Sequence, residues 1–504
     1  MEEHAGQAAT KELKRHTTRG ALISLTAQAA NFVLRTGSVM VLARLLTPKD
    51  FGLVGMATAA TGVLNIIKDA GLGWAMVQRE AVTRAQASML FWINVGLGAA
   101  LAIVCAALSP AIAAFYGAPA LVWINVALGT SFFFNGAAAQ HRAILQRNMR
   151  FGTMAVIDMT ALAGSIAIAV VMAVSGERYW ALVAMSVSQM GFTAAGAWAA
   201  ARWVPDWPQR NSGVGSMVAF GSTVTISNMV SYLAFNMDKM LLGRFWGADA
   251  LGIYGRAYTL SSVPNENVNS SIAAVAFPAL SRLQNDPQRF KDYFLKGYGL
   301  FISLVLPITV WCGLFADDVI RVMLGPKWHE AAVILRWLSP TIACLGLIQP
   351  FSWLILAMGK AGRSFGISLV IAPVVILGYS IGLGWGPIGV AAGFSIALGL
   401  MVVPVIFWAK RGTLITGGDV LKAARPPLGA ILFASLGSLL CQSLTGRISH
   451  PVPQLMAESA VLFGLYMLVL VFGMRQKDVY LGLLRETRLW PSRKGPAEAA
   501  TAAS

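Results

Sequence analysis

Charge is what this sequence has least of. Only 12% of its 504 residues are Asp, Glu, Lys or Arg, and acids are the scarcer sign, 22 against 39 Lys and Arg. A soluble domain carries about 25% charged residues, so a water-soluble globular chain is excluded. Cysteine is also sparse. Cys105, Cys312, Cys344 and Cys441 lie in or beside apolar runs without CxxC spacing, which reads as small packing residues rather than a disulfide framework or a thiolate metal site. The five histidines, His4, His16, His141, His329 and His450, are scattered mostly in tails or loops and show no metal-ligand spacing. No GxxxxGK[ST] loop is present, so ATP is not expected as the direct energy source. The period-2 alternation of a membrane β-barrel is missing as well. No loop is long enough to hold a soluble catalytic domain, and neither an enzyme nor a bound cofactor is expected. The basic N-terminus lacks a small-residue cleavage site after a short apolar core, so the first apolar run reads as a retained span.

What the chain has is apolar length. It is 56% hydrophobic, with a mean hydropathy of +0.64. Runs of about 20 apolar residues recur throughout, each able to cross about 30 Å of hydrocarbon as a helix. The expectation is an all-α polytopic membrane protein. Spans fall at about 20–44, 50–76, 86–114, 119–140, 153–175 and 179–201, then about 217–244, 250–279, 297–320, 331–358, 365–384 and 387–409, and finally about 426–445 and 454–474. These are fourteen helices in sets of six, six and two. They divide the chain into a basic tail (1–19), an N-terminal lobe (20–201), a linker (202–216), a C-terminal lobe (217–409), a loop with two further helices (410–474) and a tail (475–504). Trp203 and Trp207 in the linker suit the membrane interface. The aromatic and basic stretch between Ser281 and Gly297 reads as a short amphipathic helix lying on the bilayer.

The net charge of +17 would suggest nucleic acid in a soluble protein, but here Lys and Arg crowd the loops where orientation signals belong. With the N-terminus in the cytoplasm, about 27 of them fall in cytoplasmic segments and about 9 in the opposite loops. Both termini are therefore expected in the cytoplasm, and no nucleic-acid partner is expected.

An internal repeat underlies the two six-helix sets. The stretch from Asn31 to Glu80 returns about 200 residues later, placing Arg44 on Arg244, Gly52 on Gly252, Gly55 on Gly255, Ala57 on Ala257 and Asn65 on Asn265. Six spans separate the copies, so both enter the membrane with the same polarity. Parallel repeats of this kind build transporters that rock two lobes about a substrate. Arg44 and Arg244 stand at the outer ends of their spans and read as snorkelling anchors or as hinge residues, with Gly52 and Gly252 in the adjoining turns.

Ionisable groups within the spans mark where chemistry is expected, because each costs roughly 2.5–3.5 kcal/mol at mid-membrane unless it faces a cavity or a partner. Arg35 lies midway along the first span, with Gln28 and Asn31 on a similar face. It is either a ligand contact or half of an ion pair with a neighbouring helix. Lys68, beside Asp69, either faces the same cavity or snorkels to the interface. Span eight gathers Pro264, Asn265, Glu266, Asn267, Asn269, Ser270 and Ser271 near its middle. So many polar groups cannot all face acyl chains, which leaves a wet cavity or a polar knot. Asp158, Asp238 and Glu266 are candidate proton or sodium sites.

Several segments resemble one family. LARLLTPKDFGL, DAGLGWAMVQRE, LFWINVGLG and HRAILQRNMRF, followed by FNMDKMLLGRFWGADALGIYGRAY, FPALSRLQND and MLGPKWHEAAVILRWL, occur in the order seen in polysaccharide flippases of the colanic-acid and succinoglycan export type, within the multidrug, oligosaccharidyl-lipid and polysaccharide exporter superfamily. The resemblance spans about residues 20–410. It implies two pseudo-symmetric six-helix lobes around a central cavity, with two additional helices. The implied substrate is a polyprenyl-diphosphate-linked oligosaccharide, moved across the bacterial inner membrane for exopolysaccharide or capsule biosynthesis. Membrane lipids, a polymerase and chain-length or export proteins are the partners implied. On this reading Arg35 and Lys68 attract the diphosphate, Asn265, Asn267 and Asn269 meet sugar hydroxyls, and Glu266, Asp238 or Asp158 couples a proton or sodium gradient. A cation-coupled multidrug exporter and a lipid II flippase are the nearest alternatives. A membrane polymerase would need a large outer loop.

Overall fold

The computed structural model describes residues 30–68, 83–208, 215–445 and 450–474. Gln28, Asp69 and both tails lie outside them. Among the described residues the chain is helical throughout. The first helix, α1 (30–45), is followed by α2 (Pro48–Lys68), α3 (Arg84–Tyr116), α4 (Leu121–Arg147), α5 (Phe151–Val174) and α6 (Tyr179–Ala201). A helical rod, Gly215–Arg282, breaks at Gly247 into α7 (215–246) and α8 (248–282). Then come α9 (Pro287–Leu314), the short α10 (Ala316–Met323), α11 (Glu330–Ala357), α12 (Ala361–Gly382), α13 (Gly386–Ala409), α14 (Gly417–Thr445) and α15 (Pro451–Leu468), which ends in a π-turn. Nine described helical stretches are long and apolar enough to cross a membrane, with α12 and α13 joined in one of them. The all-α polytopic fold with about fourteen spanning helices matches the sequence reading.

Local sequence sets the boundaries. Thr83 and Gln86 cap α3 reciprocally, each side chain accepting from the other's backbone N–H at 3.2 and 3.1 Å. Gly117, at φ 64°, ends that helix. Small residues then let helices pack closely. A Cβ on Gly136 would stand 2.3 Å from the Asn94 carbonyl oxygen, and one on Gly98 would stand 2.5 Å from that of Phe132. The α3–α4 pair therefore meets backbone to backbone, the way helices associate where lipid removes the hydrophobic drive.

One expectation fails. No separate amphipathic helix lies between Ser281 and Gly297, because Pro287 at the first turn and the Asp286 cap start α9 there, and it runs unbroken to Leu314. Its aromatic stripe faces inward. Phe290, Phe294 and Tyr298 are buried, and Phe294 and Tyr298 pack against Phe351 of α11 at 5.2 and 5.5 Å. A stripe at helical spacing fits a bilayer surface and a helix core equally well.

Packing divides the chain into two compact units. One gathers the described residues of Met1–Thr259 with Met323–Trp337 and Ser368–Ala397. The other holds Leu260–Val322, Leu338–Ile367 and the described residues from Leu398 onward. The first unit thus holds the first copy of the repeated hairpin and the second copy as far as Thr259. The break between helices falls at the same repeat position in each copy but by different chemistry. In the first copy Thr47 donates its N–H and hydroxyl to Asp50 Oδ2 at 2.9 and 2.6 Å. In the second, Gly247 makes the turn at φ 82°, ψ −174°. Trp328, fully buried in the same unit, donates its indole N–H to the Ala43 carbonyl at 2.9 Å and stands edge-on to Phe51.

Candidate functional site

Asp238 is a fully buried acid of the first unit. It is 0% exposed, and its Oδ2 accepts a hydrogen bond from the Tyr254 hydroxyl at 2.7 Å. Its Oδ1 has no hydrogen-bond partner among the described residues. Tyr254 stacks near Tyr258, and Tyr258 and Tyr379 both pack on Phe394, so aromatic rings from α8, α12 and α13 form one cluster with the acid. Lys239, the next residue, forms no ion pair with Asp238 among the described residues. It donates to Asn236 Oδ1 at 2.7 Å and lies over the Tyr258 ring at 4.5 Å, as adjacent helix positions dictate. Among the described side chains only the Tyr254 hydroxyl hydrogen-bonds the Asp238 carboxyl, and a bound proton or small cation would relieve the charge of its ionised form.

The candidate cations stand on α1 and α2. The Arg35 side chain is exposed, and no ion pair to it occurs among the described residues. Lys68 closes the last turn of α2, with Nζ 3.4 Å from Asn65 Oδ1. A third cation escaped the sequence reading. Arg256 on α8 is half-buried, and its guanidinium lies 4.7 Å over the Phe51 ring. Its Nε is buried without a partner, and no carboxylate pairs with it among the described residues. The signal was available, because position 56 of the first repeat copy is Met and position 256 of the second is Arg.

The polar run of α8 in the second unit splits across two faces. Asn265 is buried and donates to Gln349 Oε1 of α11 at 3.3 Å, while its Oδ1 and that of Asn269, one turn on, lack partners among the described residues. Glu266, Asn267, Ser270 and Ser271 lie on the exposed side. Asn267 Nδ2 is taken by the Val263 carbonyl at 2.8 Å, and both serine hydroxyls donate to the Asn267 carbonyl. The asparagines therefore do not act as one group. Buried amide oxygens without donors call for water or a ligand.

Asp158 is engaged elsewhere, in a two-pronged pair with Arg142 at 2.5 and 3.1 Å. That geometry leaves little of the carboxylate for a coupling ion. Arg44 is exposed at the end of α1, where Lys327 donates to its carbonyl at 3.3 Å. Arg244 lies 5.7 Å over the Phe115 ring. Gly52 and Gly252 face the opposite copy of the hairpin. A Cβ on Gly52 would stand 1.7 Å from the Ala248 carbonyl oxygen, and one on Gly252 would stand 1.9 Å from that of Pro48.

Comparison with known proteins fits this layout. A family model described as a polysaccharide biosynthesis protein matches residues 41–333, a stretch holding α2, α8 and Trp328. The teichuronic acid biosynthesis protein TuaB of Bacillus subtilis is 31% identical over 306 residues, and the match spans 60% of this chain and 63% of TuaB. The succinoglycan biosynthesis transport protein ExoT of Rhizobium meliloti is 23% identical over 96% of this chain and 98% of its own. Among solved structures, the lipid II flippase MurJ in an inward closed conformation aligns with a TM-score of 0.72 at 15% identity, covering 90% of this chain and all of that one. An inward-facing multidrug resistance MATE family transporter of the MOP superfamily aligns at 0.61 and 13% identity, covering 80% and 99%. The family match takes in more than half of the sequence, and the chain belongs to the polysaccharide biosynthesis protein family, built on the helical fold of MOP-superfamily transporters.

Proposed function

We propose that this protein is a flippase that carries polyprenyl-diphosphate-linked oligosaccharide units from the inner to the outer leaflet of the bacterial inner membrane. The observation that carries the reading is a set of cations on membrane helices without acidic partners. Arg35 and Arg256 pair with no carboxylate among the described residues. Cations so placed are costly unless an anion visits them, and a diphosphate supplies two charged groups with acceptors suited to guanidinium forks. Lys68 extends the same chemistry toward the cytoplasmic end of α2, while Asn265 and Asn269 offer amide oxygens to sugar hydroxyls. Family membership and the relative named as a succinoglycan transport protein support the substrate class.

The energy source on this reading is an ion gradient acting at Asp238. Its empty Oδ1 takes a proton or sodium ion, and Tyr254 reports the change to α8 through the hydroxyl on Oδ2. Asp238→Asn should keep substrate binding and lose the dependence of transport on the gradient, measured in proteoliposomes with imposed proton or sodium gradients. Unchanged gradient dependence would remove Asp238 from the coupling.

Deletion followed by extraction of lipid-linked glycans tests the function itself. The expected result is a single undecaprenyl-diphosphate repeat unit accumulating on the cytoplasmic side, with surface polymer lost. Normal polymer with new drug sensitivity would instead favour multidrug export. Arg35→Gln at equal protein level should reduce polymer export at least tenfold, and wild-type export by that variant would remove Arg35 from headgroup binding.

A further inference from the structure

Between Glu330 and Asp419 the chain has no acidic residue. Two turns of the second unit fall within that stretch, 358–360 before α12 and 410–416 after α13, and both carry cations. They bracket Gly362–Ala409, an apolar stretch long enough to cross a membrane.

The two turns meet. Arg363 donates through Nη1 to the Ala409 carbonyl at 3.4 Å and also to the Arg411 carbonyl. A Cβ on Gly412 would stand 3.1 Å from Lys360 Nζ, and one on Gly417 would stand 3.6 Å from Lys410 Nζ. Lys360, Arg363, Lys410 and Arg411 are thereby gathered at one corner, and none pairs with a carboxylate among the described residues. Asp419, the next acid in sequence, is engaged. Its Oδ2 takes Lys291 Nζ at 2.6 Å and the Thr416 N–H and hydroxyl at 2.8 and 2.7 Å. Four like charges without a counter-charge raise the local potential and draw an anion.

Apolar side chains adjoin the charges. Phe407, whose ring lies 4.4 Å from Lys410 Nζ, is exposed, as are Phe365, two residues beyond Arg363, and Leu414 in the second turn. Trp408, with its ring 3.4 Å from where a Cβ on Gly366 would stand, is the residue type of the membrane interface. A small soluble anion would satisfy the cations and leave the rings uncovered. An anionic phospholipid satisfies both, with phosphate on Lys and Arg and acyl chains along Phe365 and Phe407. Two turns with two cations each match a headgroup with two phosphates.

We propose that the corner formed by residues 360–363 and 410–412 is a binding site for an anionic phospholipid with two phosphates, of the cardiolipin type. It does not depend on which substrate is transported. The rival is a set of orientation charges without lipid preference.

Full-length protein, purified in detergent and stripped of lipid, is titrated with cardiolipin and with phosphatidylethanolamine, and bound lipids are counted by native mass spectrometry. One cardiolipin should bind at least tenfold more tightly than phosphatidylethanolamine, and equal affinities would overturn the site. Lys360→Gln with Lys410→Gln should weaken cardiolipin binding at least tenfold. Lys422→Gln with Arg425→Gln removes as much charge from the exposed start of α14 and should stay within twofold of the parent. Equal losses in the two pairs would leave only orientation charges. Arg363 is kept because it fastens the turns together. Lys360→Arg with Lys410→Arg preserves the charge and should bind like the parent, so a tenfold loss there would refute the electrostatic argument. Undecaprenyl diphosphate binding more tightly than cardiolipin, and lost in the Lys360→Gln, Lys410→Gln pair, would assign the corner to the substrate instead and overturn the proposal.

Discussion

Gly247 carries a backbone demand that can be separated from sterics. The chain passes from α7 to α8 there at φ 82°, ψ −174°, a region essentially closed to residues with a Cβ at a cost of about 1–3 kcal/mol. A Cβ at that position meets nothing within 4 Å, so Gly247→Ala is opposed by the backbone alone. Were the alanine to adopt helical angles instead, α7 would run straight into α8 and lift Gly252 from the Pro48 carbonyl. Either way the folded state should lose about 1–3 kcal/mol, roughly a 5- to 150-fold drop in the folded-to-unfolded ratio. The equivalent position in the first copy, Thr47, uses a side-chain cap, and Thr47→Ala should cost about 0.5–2 kcal/mol. Unfolding by SDS in mixed micelles, followed by tryptophan fluorescence with helicity checked by circular dichroism, measures both. A Gly247→Ala midpoint equal to the parent's, with an unchanged slope, would refute the backbone argument.

Three further outcomes are expected. Arg256→Gln should cut polymer export at least tenfold at equal protein level, with Arg256→Lys retaining more because it keeps the charge. Equal export by the Gln variant would leave Arg256 a packing residue over Phe51. Trp328→Ala should destabilise by about 3–5 kcal/mol through the cavity it leaves, whereas Trp328→Phe should cost about 1–3 kcal/mol for the Ala43 carbonyl left without its donor; thermal unfolding in detergent separates the two. Asp318, between the spans on α10, has its carboxyl raised by burial and by Asp317, against the pull of Arg321 and a hydrogen bond with Glu458. A folded value above the unfolded one means stability is greatest below about 3.9 and falls as pH rises through the raised value. Asp318→Asn should flatten that slope, so an unfolding midpoint as pH-dependent as the parent's would remove Asp318 as its source.

The helical class and span count were legible because about 20-residue apolar runs leave few alternatives in a bilayer. The repeat was legible from Arg44, Gly52 and their copies, yet the partner of each glycine was not. Pairing of α2 with α8 is a long-range contact that no local pattern encodes. Asp238 stood out as an acid in a span, but its aromatic neighbours come from three helices, and only Tyr254 and Tyr258 are near it in sequence. Asp158 looked equally eligible until its pair with Arg142, sixteen residues earlier, showed it engaged. The asparagines of α8 were read as one group because they are adjacent, although helical geometry turns Asn265 and Asn269 inward and Asn267 outward.

The hairpin repeat also explains why its sequence signal is modest. Where the copies meet through backbone, at Gly52 and Gly252, each must be glycine for the same steric reason, and identity is forced. Where they meet through side chains the contact asks only for fit, so Met56 and Arg256 can differ while both helices keep their crossing. The turn needs a helix break rather than a given residue, and Thr47 with Asp50 does locally what Gly247 does through its dihedrals. Symmetry in the backbone thus coexists with asymmetry in chemistry. The asymmetry concentrates in the charged residue of the second copy: the Arg256 guanidinium lies over Phe51 of the first, so a headgroup bound there would bridge the very helices whose glycines meet. On that geometry headgroup binding and the glycine crossing act on the same pair of helices. Gly52→Ala, which loosens the glycine crossing, should therefore weaken headgroup affinity as well as stability, and an affinity equal to the parent's would refute the link.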